Sequence, residues 1–193
     1  MAATDYKYDV FFSYKRHDLT QHWTREVYKR IEHFLDMELA RKPVMFVDEE
    51  TIEVGERWPP KLQQALRQSR CMVGVWSPPY FRSSWCVSEW QSFLAREKHL
   101  GLGSHRLVAP LRYSDGEHFP EEAQKVQWHD VASFTSTCAS FWTSRRALRL
   151  EDVLKKFAGE LAKIINEAPP FDPAWPICDE PKKPEPKIEL GRL

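Results

Sequence analysis

Apolar positions along the chain follow two alternating rhythms. Tyr8-Asp-Val-Phe-Phe-Ser-Tyr14 is rich in β-formers and nearly all apolar, the texture of a strand buried on both faces. Beyond it, Trp23, Val27, Ile31 and Phe34 recur at steps of three and four residues, which predicts a helix with Asp18 or Thr20 as its cap. Pro43 stops that helix, and Val44-Met-Phe-Val47 predicts a second short strand. Asp48 to Arg57 is polar, contains Gly55 and reads as a loop. Trp58 to Ser69 reads as a helix with two prolines in its first turn, where they are tolerated. Cys71-Met-Val-Gly-Val-Trp76 predicts another buried strand, ended by Ser77-Pro-Pro79. Ser84 then caps a helix running to about Lys98. Leu107-Val-Ala-Pro-Leu111 predicts a fourth strand, its proline favouring a short or edge position. Between Tyr113 and Ser144 the pattern is weakest, and a brief strand near Val126-Gln-Trp128 is the best reading. Leu150, Val153, Leu154, Phe157, Leu161, Ile164 and Ile165 mark the clearest amphipathic helix.

Strands that alternate with helices over this length predict an α/β fold: a flavodoxin-like three-layer sandwich with a mainly parallel, roughly five-stranded sheet. Right-handed crossovers put helices on both faces. Ligands then sit at the carboxyl ends of the strands, in the loops after Tyr14, Val47 and Trp76. From Ala168 the texture changes, because Pro169, Pro170, Pro173, Pro176, Pro181, Pro184 and Pro186 prevent a helix. The expected organisation is one domain over residues 1–167 and a Pro-rich tail or linker over 168–193. Two readings of that tail stay open. It is extended or disordered, or it uses Phe171, Trp175, Ile177, Ile188 and Leu190 to dock on the domain or a partner.

Composition narrows the function classes. Lys and Arg number 28 and Asp and Glu 28, a balance that argues against coating nucleic acid or an anionic membrane. No apolar run approaches the ~20 residues of a membrane span. The first residues lack the basic and apolar regions of a secretory signal. Cys71, Cys86, Cys138 and Cys178 are scattered, which reads as reduced thiols in a cytoplasmic protein. The chain has no GxxxxGK[ST], GxGxxG or GxSxG pattern, so NTP hydrolysis, Rossmann-type redox and α/β-hydrolase chemistry lack support. Its seven histidines show no HExxH and no paired ligand spacing, so no metal is expected.

Three blocks are specific in combination. The first is Tyr8-Asp-Val-Phe-Phe-Ser-Tyr-Lys-Arg-His-Asp18, and the second runs from Phe46-Val-Asp48 into Glu53-Val-Gly55 and Trp58. The third is Ser77-Pro-Pro-Tyr-Phe-Arg-Ser-Ser-Trp-Cys-Val-Ser-Glu89. In that order, on those elements, the chain resembles the Toll/interleukin-1 receptor (TIR) domain family over about residues 6–166. The second block resembles the family's BB loop, with Val54 where receptor and adaptor members often carry proline. Phe141-Trp142 does not match the family's third box. Some TIR domains are scaffolds and others cleave NAD+, and the WxxxE arrangement of Trp85 and Glu89 resembles the NAD+-cleaving, prokaryotic-type branch.

Positions i and i+4 share a helical face, so indole and carboxylate can line one cleft. Counted from Trp90 at the centre of the apolar face, Glu89 falls at the rim, partly buried. It is too far from Ser83 or Ser84 to complete a capping box. In NAD+ the nicotinamide is already a cationic pyridinium and leaves neutral, so no general acid is needed. One carboxylate, Glu89, could stabilise the oxocarbenium-like transition state or grip the ribose hydroxyls. The alternatives are a surface Glu89 of no consequence and a Trp85 that is ordinary core packing.

The resemblance also implies the remaining site. Tyr14, Lys15 and Arg16 follow the first strand, and the two cations could meet the pyrophosphate. Glu53 and Gly55 would approach the nicotinamide riboside end, although Glu53 can equally be a solvated loop acid. Ser77 would offer a hydroxyl. No cofactor is implied, NAD+ being substrate. Partners would be further copies through TIR–TIR contacts and a separate sensor protein or fused sensor domain. The expected function is an NAD+ glycohydrolase or ADP-ribosyl cyclase activated by self-assembly in immune or stress signalling. The alternative is a non-catalytic module making homotypic contacts through the BB loop. A receiver-like or deoxyribosyltransferase-like fold is a distant third, since Asp9 and Asp48 do not supply an acidic phosphoacceptor pocket.

Overall fold

The apolar runs become strands and the amphipathic runs become helices. In chain order they are β1 (Tyr8–Tyr14), α1 (Asp18–Glu38), β2 (Met45–Val47), α2 (Pro60–Arg67), β3 (Ser69–Trp76), α3 (Pro78–Phe81) and α4 (Ser84–His99). There follow β4 (Val108–Arg112), α5 (Glu121–Gln124), β5 (His129–Asp130), two short 3-10 turns, and α6 (Arg145–Asn166). The computed structural model describes residues 5–47, 60–101 and 106–178. Its sheet has the order β2-β1-β3-β4-β5 with every pairing parallel, a flavodoxin-like α/β sandwich.

Strand alternation divides the core in two. From β1, Val10 and Phe12 point to the layer under α1 and α6, and Phe11 points to the layer under α2, α3 and α4. The first layer is mainly aliphatic, built on Val27, Ile31, Leu35, Leu150, Leu154 and Leu161. The second is aromatic, built on Phe11, Phe46, Trp76, Tyr80, Trp90 and Phe93. At the amino end of the sheet Asp9 is buried and accepts from Arg41 at 2.8 Å and from the Val44 amide at 2.9 Å, with Arg70 at 3.4 Å. It anchors the sheet edge far from the strand ends where ligands bind.

Some expectations need correction. The α1 cap is His17, whose Nδ1 accepts from the Leu19 amide at 3.3 Å, so the helix has already begun at Asp18 and Thr20 lies within its first turn. Ser83, not Ser84, occupies the cap position of α4. The fifth strand is His129–Asp130, just beyond Val126–Trp128. β4 is short but interior, and its Pro110 still fits. The Tyr113 amide donates to Trp76, so by alternation the odd positions of β4 face β3 and Pro110 faces β5. Pairing with β5 begins only at Leu111, so the missing N–H of Pro110 breaks no ladder bond.

After α6 the chain does not leave the domain at once. Phe171 meets Tyr6 edge-on with ring centroids 5.3 Å apart, and Trp175 is buried beside Arg96, whose guanidinium lies 5.0 Å from its ring. The Cys178 amide donates to Ser92 Oγ at 2.9 Å. Residues 168–178 thus form a strap leading to α4. Ile188 and Leu190, the other proposed anchors, lie outside the described residues.

Candidate functional site

The strand order reverses between β1 and β3, and the chain leaves these neighbouring strands in opposite directions, opening a crevice at their carboxyl ends. A cleft of about 360 Å³ lies there. The turn after β1 lines it with Tyr14, Lys15, Arg16 and His17, and the first turns of α1 with Thr20 and Thr24. Val75, Ser77 and Pro79 come from β3 and its continuation, and Tyr113 and Ser114 from the end of β4. Its charged side chains are cationic and the rest of its lining is hydroxyl, aromatic and apolar, a composition suited to phosphate and ribose. A smaller pocket of about 170 Å³ shares the wall formed by Tyr14 and Thr24 and carries Arg25, Tyr28, Lys29 and Val47.

Glu89 stands on the other face of β1. It lies on α4 with only 7% of its surface exposed. Ser13 Oγ donates to Glu89 Oε2 at 2.5 Å and is 3.0 Å from the Tyr80 hydroxyl. Burial, reinforced by Cys86 and the negative charge of Glu89, pushes the Tyr80 phenol well above its ordinary range. Burial and Glu89 likewise push the Cys86 thiol up to about 12, with Lys15 opposing. Trp85, half-buried, packs against the aromatic layer.

The structure therefore brings Tyr14, Lys15, Arg16 and Ser77 together in the cleft and sets Glu89 and Trp85 across β1 from them. Ser13, the neighbour of Tyr14, links the two sides, and the charge of Lys15 is felt at Cys86. Ser77 has a second task, since its Oγ accepts from the Tyr80 amide at 3.3 Å and caps α3. Glu53, Gly55, Asp48 and the rest of the BB loop lie outside the described residues. Sequence reasoning missed Ser13 and Tyr80. The available signal was a small hydroxyl residue beside the apolar Val10-Phe-Phe12 run of the strand. It also missed Thr20, Thr24, Tyr113 and Ser114, which only the fold gathers. Ser114 Oγ is buried without a hydrogen-bond partner among the described residues.

Among the described residues no three or more His, Cys, Asp and Glu side chains gather to hold a metal ion. Nor is any described helix long and apolar enough to cross a membrane.

Comparison with known proteins gives the same reading of the blocks. Disease resistance protein RPS6 of Arabidopsis thaliana is 24% identical over 182 residues, covering 83% of this chain and 15% of that protein. SUPPRESSOR OF npr1-1, CONSTITUTIVE 1 of the same plant is 31% identical over 175 residues, covering 78% of this chain and 11% of that protein. This chain is thus similar to a small part of much longer proteins. The solved TIR domain of Toll-related receptor TRR-2 from Hydra magnipapillata is 20% identical, covers 76% of this chain and 99% of its own, and superposes with a TM-score of 0.42. These matches do not specify a prokaryotic-type branch. The TIR-domain family model spans residues 10–141, from within β1 through the cleft-lining turns and α4 to the second 3-10 turn, and the chain belongs to the TIR domain family.

Proposed function

We propose that this TIR domain cleaves the nicotinamide–ribose bond of NAD+, with Glu89 as the catalytic carboxylate. The observation that carries the reading is Glu89 itself, a carboxyl only 7% exposed within an aromatic layer, at the end of the strand that leads into Lys15 and Arg16. A carboxylate in such surroundings acts on developing positive charge more strongly than one in water. As the C–N bond breaks, its electron pair passes to the pyridinium nitrogen and nicotinamide leaves neutral. The ribosyl cation left behind is stabilised by Glu89 until water or an internal nucleophile attacks it. Lys15 and Arg16 would meet the pyrophosphate, with Tyr14, Ser77 and Trp85 as walls and polar contacts. Glu53 and Gly55 enter on the resemblance alone. Activity would depend on self-association in the cytoplasm, with a separate or fused sensor, and relatives named as disease resistance proteins support a role in immune signalling.

One observation favours the second reading, an interaction module without catalysis. Among the described residues, the cleft and Glu89 lie on opposite faces of β1, and Glu89 is hydrogen-bonded within the core.

The test is to incubate concentrated protein with NAD+ and quantify nicotinamide and ADP-ribose products, beside Glu89→Gln. Glutamine keeps the shape and removes the charge, so release is expected to fall about 10²–10³-fold. Turnover that survives the substitution removes Glu89 from the mechanism. No turnover even when copies are fused to an oligomeriser favours the interaction module.

A further inference from the structure

Ser13 has one hydroxyl proton and two close partners. An ionised Glu89 only accepts, so the 2.5 Å contact uses the Ser13 proton. The 3.0 Å contact to Tyr80 must then be the phenol donating to Ser13 Oγ. Tyr80 keeps its proton, because burial and the nearby charge of Glu89 both disfavour the phenolate. The result is a directed chain, Tyr80 to Ser13 to Glu89, whose members are 0%, 2% and 7% exposed.

The backbone is arranged to permit it. Register pairs Ser13 with Gly74 on β3. A Cβ at Gly74 would lie 2.6 Å from Trp76 Nε1 and 3.6 Å from the Tyr80 hydroxyl. The bare position makes room for the Trp76 indole, while the phenol, which reaches Ser13, would meet an added Cβ only at ordinary contact distance. Tyr80 itself sits in α3, whose direction is set by Pro78 and Pro79 and by the Ser77 cap.

We propose that Ser13 is the positioning residue for Glu89, and that Tyr80 behind it sets the direction of the Ser13 hydroxyl. This rests on the reading of Glu89 as the catalytic carboxylate. The chain holds one carboxylate oxygen and so fixes the plane of the group, and it favours the ionised form that a ribosyl cation requires. Among the described residues, Tyr80 on α3 and Cys86 on α4 feel the charge of Glu89, and burial keeps both protonated. Lys15, in the turn after β1, is a cation whose charge reaches Cys86 in this cluster.

The test compares wild type, Ser13→Ala, Ser13→Thr and Tyr80→Phe in NAD+ turnover against pH. Ser13→Ala is expected to lower kcat about 10- to 100-fold, the factor equivalent to one hydrogen bond to a charged group, with KM within about twofold. The acid limb of its pH profile moves to higher pH. Ser13→Thr restores both, and Tyr80→Phe gives a smaller change in the same direction. An unchanged kcat and an unmoved limb in Ser13→Ala overturn the proposal. A second readout needs no turnover: the carboxyl carbon of Glu89, assigned by its loss in Glu89→Gln, is titrated by NMR. It is expected to titrate at higher pH in Ser13→Ala, and identical titration overturns the proposal. If wild type is inactive the functional reading falls, and this titration still decides the role of Ser13. If Ser13→Ala does not fold, Tyr80→Phe carries both measurements.

Discussion

The two layers on either side of the sheet solve different problems. The layer under α1 and α6 is closed by Val, Ile, Leu and Ala side chains whose burial is favourable and undirected. Each Val, Ile or Leu among them contributes about 1.5–3 kcal/mol if it fills its space, in any orientation that packs. The layer under α2, α3 and α4 is built from large rings, and between them it admits Ser13, Glu89, Ser92 and Arg96, all buried. Polar groups in such a place need partners at hydrogen-bond distance, and each has at least one. One layer holds the sheet up and the other holds particular atoms still. β1 supplies both, through alternate side chains.

That contrast can be broken deliberately. The largest effect is expected from Phe157→Ala in the aliphatic layer, where the ring is 1% exposed. It should destabilise by about 3–5 kcal/mol, a fall in Tm of roughly 6–20 °C in calorimetry, with turnover per folded molecule unchanged. Glu89→Gln should do the reverse, losing turnover while Tm moves by only a few degrees, because a buried charge contributes little net stability. Equal damage to both properties by either variant would mean that the layers are not separate.

Trp175→Ala is expected to be milder, at about 3 kcal/mol, because the strap can shift to cover part of the space. Its signature is local: faster hydrogen exchange along α4 than along α6. The smallest effect compares the buried thiols, Cys71 in the aliphatic layer and Cys86 in the aromatic one. Burial raises both, Cys86 to about 12, so neither should react with iodoacetamide at pH 8 in the closed state. Exposed Cys138, whose thiol is lowered by its contact with Ser140, should react at once. In a Cys138→Ser, Cys178→Ser background, labelling under native conditions reports opening of each layer. Cys86 is expected to label a fewfold faster, and equal rates would show that both layers open together.

Much of this architecture was legible because it repeats. The seven-residue apolar run of β1 and the spacing from Leu150 to Ile165 each carry a periodic signal longer than one turn or one pleat. β5 is two residues long and cannot express a period, so only its neighbourhood was readable. The burial of Glu89 was readable from the helical wheel, since its angle to Trp90 is local geometry. Its partner was not. Ser13 is 76 residues away and Tyr80 is 67 residues from Ser13, and a hydroxyl in the strand does not say which side chain of the covering helices it meets. The strap was ambiguous for a related reason: prolines forbid a helix but say nothing about whether Trp175 finds a roof to form. That roof depends on Arg96, placed by α4.

Arg96 gives the strap a mechanical meaning. Fully buried, it donates to the Leu66 carbonyl at 2.9 Å and the Ser69 carbonyl at 2.7 Å, clasping the end of α2 and the start of β3. Its guanidinium lies between Phe93 and Trp175, 4.5 and 5.0 Å from their rings. The strap then reaches Ser92, whose hydroxyl also donates to the Ser88 carbonyl, next in sequence to Glu89. A pull on the chain at Cys178 is therefore applied as a lever to the middle of α4, within a turn of the carboxylate.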